Sequence, residues 1–93
     1  MNSEFKSVED LYKRVLPALR SKKKELERES ITYIKEEDIW NYLIESTWKK
    51  SNGLELNDIV NDILNVNNDK LKTYVKSQMR KMNRKVNLDK DIL

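Results

Sequence analysis

The sequence predicts an all-α fold, a compact bundle of about four helices with a kinked first helix and a short extended link near residues 30–34. Three observations lead there. Apolar residues recur at the 3.6-residue helical period in four successive segments. The only glycine, Gly53, stands at a single punctuation point, and the only proline, Pro17, falls inside a helical pattern. Only Ser30-Ile31-Thr32-Tyr33-Ile34 carries β-branched and aromatic residues with no helical period, so it reads as an extended connection holding its apolar residues under the second helix. At 93 residues the chain is long enough for one core and one domain, placed at residues 7–86 with flexible tails at 1–6 and 87–93.

Each element follows from its own pattern. Ser7-Val8-Glu9-Asp10 resembles a capping box, and Val8, Leu11, Tyr12, Val15, Leu16, Leu19 and Leu26 continue at helical spacing, so helix 1 runs from about 8 to 29. Pro17 removes a backbone donor and crowds the preceding turn, which predicts a kink near Tyr12 to Leu16 or a break into two helices. Lys22, Lys23 and Lys24 alternate with Glu25, Glu27 and Glu29 where the stripe thins, the pattern of a solvated helix end. Helix 2 spans about 36 to 49: Ile39, Trp40, Leu43, Ile44, Thr47 and Trp48 form one face. Three acids suit its positive end, Lys49 and Lys50 suit its negative end, and Asn52-Gly53 closes it. Leu56, Ile59, Val60, Ile63 and Leu64 define helix 3, about 55 to 65, whose other face is Asn57, Asp58, Asn61, Asp62 and Asn65. Val66-Asn67-Asn68-Asp69 makes a loop ending in the N-cap Asp69, and Leu71, Tyr74, Val75, Gln78, Met79, Met82 and Val86 carry helix 4.

Composition excludes more than it proposes. The chain has no cysteine and no histidine, hence no disulfide, no thiolate and no imidazole for nucleophilic or general-base catalysis near neutral pH. One glycine cannot build a phosphate-cradling loop. Glu36, Glu37 and Asp38 point away from one another on a helix and fit the helix dipole better than a carboxylate site. A Ser-Lys dyad of Ser21 and Lys22 lacks any feature that places it in a pocket. The expectation is a protein that is not an enzyme and takes no cofactor, metal or small-molecule substrate. No apolar run approaches the roughly 20 residues of a membrane span, and Met-Asn-Ser-Glu-Phe-Lys is no signal peptide, so the chain is expected in the cytoplasm with no membrane insertion.

The net charge of +3 is unevenly spread. Residues 1–48 hold nine bases and ten acids, 49–69 hold two and four, and 70–93 hold eight and two, so the last segment supplies the whole excess. A basic end segment faces phosphate or an acidic partner. Lys, Asn and Ile supply 14, 10 and 7 residues, a third of the chain, which an AT-rich genome also produces without selection on the protein. Trp40 and Trp48 are residue types on which single-stranded RNA stacks, but helical spacing with Ile39, Leu43 and Ile44 assigns Trp40 to the core. Trp48, beside Lys49 and Lys50, is the indole with an edge left for a base.

Four blocks stand in order over about residues 8–80: Leu16-Pro17-Ala18-Leu19-Arg20-Ser21-Lys22, Glu36-Glu37-Asp38-Ile39-Trp40-Asn41-Tyr42-Leu43, Trp48-Lys49-Lys50, and Val60-Asn61-Asp62-Ile63-Leu64. In series around two tryptophans they resemble the ComN-like family of small post-transcriptional regulators of competence-forming, Gram-positive bacteria. The family pattern tends to have glycine where Ser30 stands and a Thr or Ser cap where Lys35 stands, so the departures fall on the link between helices 1 and 2. The resemblance implies a non-enzymatic cytoplasmic regulator of messenger RNA, in a family linked to a coiled-coil scaffold at cell poles and division septa. Two mechanisms are compatible with it. In the favoured one the chain is an adaptor, docking a protein partner through Asn57, Asp58, Asn61 and Asp62 or through Arg20 and Lys22 on the Pro17–Lys22 surface. In the other it binds RNA directly, with Lys49, Lys50, Lys72, Lys76, Arg80 and Lys81 on phosphates and Trp48 stacking a base. The adaptor is favoured because basic and aromatic residues do not interleave as in RNA-binding modules and +3 is a modest charge.

Overall fold

The computed structural model describes residues 8–48 and 54–81, with the backbone alone at Lys81. Four helices follow in order: α1 (Val8–Arg28), α2 (Glu36–Ser46), α3 (Leu56–Leu64) and α4 (Asn68–Lys81), and no strand occurs among the described residues. The all-α bundle is as the periodicity predicts. The Ser7 cap, the Asn52-Gly53 turn, Met82, Val86 and both tails lie outside the described residues, as do the limits drawn at 7 and 86.

α1 buries Val8, Leu11, Val15, Leu19, Lys22 and Leu26, a single stripe at i+3 and i+4 steps. Pro17 is exposed and the helix runs through it unbroken, which disposes of the break but not of bending. Its end is a Schellman motif: Ile31 N–H donates to the Leu26 carbonyl at 2.9 Å, and Ser30 N–H to Glu27 at 3.0 Å. Ser30 takes φ 67°, the left-handed region that favours glycine. The link beyond it buries Ile31 and Ile34 as expected.

α2 has an asymmetric cap. Lys35 has no side-chain acceptor, and Asp38 at N3 reaches back to take the Lys35 N–H at 2.9 Å, satisfying one orphan donor. The acid at the positive helix end is thereby buried and structural. α3 uses the same device, Asp58 accepting from Glu55 N–H at 3.1 Å. α2 ends at Ser46, with Thr47 as C-cap and Trp48 beyond the α-helix, three residues short of the expected 49. The N-cap of α4 is Asn67 rather than Asp69: its Oδ1 accepts the Lys70 N–H at 2.9 Å, and its carbonyl accepts from Leu71 N–H.

α1 packs against α3 and α2, and α2 also meets α3 and α4. Trp40, fully buried, sits between Tyr12 and Trp48 with ring centroids at 5.1 and 5.2 Å, both edge-to-face. This three-ring cluster ties α1 to the start and end of the α2 segment. Tyr42 of α2 and Tyr74 of α4 make a second edge-to-face pair at 5.5 Å.

Candidate partner-binding surfaces

The structure sorts the candidate residues sharply. Trp48 is 1% exposed, and its Nε1–H donates to Asp62 Oδ2 at 2.9 Å across 14 residues of sequence. No face of that indole remains for a nucleobase, so Trp48 is a core residue and not a stacking platform. The expectation of an exposed edge fails because a buried indole N–H requires an acceptor, and α3 supplies one. Lys49 and Lys50 lie outside the described residues, and nothing is described of the Lys81 side chain. On α4, Lys76 and Arg80 are exposed and Lys72 is half-buried, with its Nζ 3.5 Å from Asp69. These three cations follow at i, i+4 and i+8 on one face.

Of the adaptor candidates, Asn57, Asp58 and Asn61 are exposed along the outer side of α3 and Asp62 is half-buried. Asp58 and Asp62 both carry structural bonds, so reversing their charges would loosen the fold, contrary to the reading of them as purely surface groups. Arg20 is exposed on α1, on the same side as Lys13, Lys24 and Arg28. Lys22 is 3% exposed and does not belong to that surface: its stem lies on the buried stripe and its Nζ reaches Glu25 at 2.7 Å. That bond, with the Lys22 charge, holds the Glu25 carboxyl below its usual range. Asn68 Nδ2 approaches Glu25 and Glu29 at 3.5 and 3.4 Å, joining the start of α4 to the end of α1. Ser21 is exposed, and the Lys22 ammonium is engaged by Glu25.

One concave feature escaped the sequence reading. A half-open depression of about 180 Å³ lies where α2 and α3 end, lined by Tyr42, Leu43, Thr47, Asp62, Asn65, Val66 and Asn67. Both helices point their negative ends there, and neither has a basic residue in its last turn. Beside it, Tyr74 Oη donates to Glu45 Oε2 at 2.5 Å. Burial raises the Tyr74 hydroxyl pKa far above its ordinary value, and the bond to Glu45 with the charges of Glu45 and Asp38 adds to the rise. Burial likewise pushes Tyr12 up to about 12, with Glu37 and Glu36 reinforcing and Arg20 opposing. The ends of helices 2 and 3 are too far apart in sequence for their convergence to be visible there.

The described residues form a small four-helix bundle with polar outer faces. Residues 8–90 match the family described as post-transcriptional regulator, and the chain belongs to that family. No curated protein and no solved structure shows a significant match. No helix among the described residues is long and apolar enough to cross a membrane.

Proposed function

We propose that this post-transcriptional regulator acts as a small non-enzymatic adaptor that docks a protein partner and through it influences messenger RNA. The observation that carries the reading is the burial of Trp48 with its N–H engaged by Asp62, which leaves direct RNA binding without the base-stacking residue assigned to it. The other half of that mechanism, the α4 cations, offers phosphate contacts that carry no sequence information. The exposed amides Asn57 and Asn61 lie one turn apart on α3 beside Asp58, a surface suited to hydrogen bonding with another protein. A coiled-coil scaffold at poles or septa, in the cytoplasm, is the partner class that the family resemblance implies.

The test separates the two surfaces. Asn57→Arg with Asn61→Arg changes the α3 face while sparing the Asp58 and Asp62 bonds, and is expected to abolish regulation with the melting curve unchanged. Lys76→Gln with Arg80→Gln is expected to leave regulation intact. Direct RNA binding would instead give leader-RNA affinity that falls steeply with salt, with a slope reduced by about 0.7 per lost phosphate contact in the α4 variant.

A further inference from the structure

We propose that the depression between the C-terminal ends of α2 and α3 receives an arginine side chain presented by the protein partner. This rests on the adaptor reading and names the group that the adaptor grips. Asp62 is among the lining residues, and its bond from Trp48 comes from an uncharged donor, so its negative charge is not neutralised by that contact. The described lining residues include no Lys or Arg. Two helix ends add partial negative charge at the same place, and among the described residues neither has a base in its last turn; Lys49 and Lys50 lie outside the described residues. Glu45, which accepts the Tyr74 hydroxyl bond, places a further carboxylate at the Tyr42–Tyr74 pair. Asp62 and the two helix ends disfavour an anion, and therefore a nucleic-acid phosphate, against this lining.

Arginine fits better than lysine on chemical grounds. The lining residues include the aromatic Tyr42, the acid Asp62 and the amides Asn65 and Asn67, with Asn65 Nδ2 donating to the Asn61 carbonyl and Asn67 Oδ1 accepting the Lys70 N–H. A guanidinium stacks on the first and donates several coplanar N–H groups to the others, whereas an ammonium is a compact, strongly hydrated point charge. A volume of about 180 Å³ accepts one such head group and its last methylenes, but not a folded element.

The full chain, labelled with nitrogen-15, is titrated with acetyl-Ala-Arg-Ala-amide and with the Lys and Gln counterparts. The Trp48 indole N–H is the reporter because Asp62 both holds it and lines the depression; the backbone amides of Lys13 and Arg20 on α1, which do not line it, are the internal control. The arginine peptide is expected to shift Trp48 and the amides of Asn65 and Asn67 saturably, the lysine peptide more weakly, and the glutamine peptide not at all. Asp62→Asn keeps an acceptor for Trp48 but removes the charge, and should weaken binding by about 10- to 100-fold, the loss associated with a hydrogen bond to a charged group. Asn65→Lys, which suits a helix C-terminus, should abolish binding while leaving the fold intact. A Trp48 signal unmoved by the arginine peptide, or moved equally by the glutamine peptide or in both variants, overturns the proposal. Single-stranded leader RNA is added in a parallel arm. Arginine failing while RNA shifts Lys76 and Arg80 overturns the adaptor reading as well; arginine failing with no RNA bound overturns the pocket alone.

Discussion

Replacing Asp62 by alanine tests the side-chain hydrogen bond that ties Trp48, just past α2, to α3. Trp48 is 1% exposed and its N–H lies 2.9 Å from Asp62 Oδ2, so the alanine variant buries that donor with nothing to accept it. A hydrogen bond to a charged group contributes about 1.5–3 kcal/mol, and an orphaned buried donor costs a similar amount. For a domain of this size each kcal/mol moves Tm by about 4–8 °C, so a fall on the order of 10 °C is expected. Asp62→Asn preserves an oxygen acceptor and should cost less than about 1 kcal/mol. Trp48→Phe removes the donor, so in that background Asp62→Ala should lose most of its effect, giving a coupling of about 1–2 kcal/mol in a double-mutant cycle. Urea unfolding followed by far-ultraviolet circular dichroism supplies all four free energies. An alanine variant within about 0.5 kcal/mol of the parent, the range of inconsequential surface changes, would refute the reasoning.

Trp40→Ala, which removes the ring shared by Tyr12 and Trp48, should cost about 3–5 kcal/mol by urea unfolding, and a loss under about 1 kcal/mol would contradict its burial. Ser30→Gly relieves a left-handed residue and should stabilise by about 0.5–1 kcal/mol after the added freedom of the unfolded chain is subtracted; an unchanged or lower Tm would argue against φ 67° at Ser30. Tyr12 and Tyr74 have folded pKa values above their ordinary 10, so the stability they contribute is complete below that pH and is lost as pH rises through the folded values. Denaturation midpoints should therefore decline above pH 10, and Tyr12→Phe with Tyr74→Phe should flatten the decline. The opposite sign holds for Glu25, whose lowered pKa gives stability present above about 4.5 and lost as pH falls through the folded value; Lys22→Met should remove most of that acid dependence.

Periodicity located the helices because each has one face in a shared core, and the Trp40 stripe alone sufficed to place that indole inside. It failed at the end of α2. Trp48 continues the apolar spacing and is buried, yet it lies past the helix: a side chain can reach the core from an irregular segment as well as from a last turn, and period does not distinguish them. The start of α4 failed for a different reason. Asn67 and Asp69 are both good caps, and the choice depends on which side chain meets an N–H three residues on; Asn67 does, while Asp69 lies near Lys72. Lys22 was legible but misweighted. It stands three residues after Leu19 and four before Leu26, on the buried stripe, and only the run of lysines made it look solvated. The pairing of Trp48 with Asp62 and the depression beside it had no local signal, since both depend on the approach of two helix ends.

The same approach makes structure and recognition inseparable on α3. Of its polar residues, Asp58 caps the helix and Asp62 anchors Trp48, so the two carboxylates that look most like docking charges are fixed by the fold. Charge reversal there would lower stability and binding together, and loss of regulation could not be assigned to either. The amides Asn57 and Asn61 carry the outward face and can be replaced without touching those bonds. Asp62 differs from a free surface acid: its Oδ2 is bonded to the indole, and the residue also lines the depression. A partner that neutralised it would act on an anchor of the aromatic cluster, coupling occupancy to the stability of Trp48 and Trp40. Binding should therefore raise Tm through mass action, and the rise should be smaller in Asp62→Asn, whose fold retains the bond but whose pocket lacks the charge.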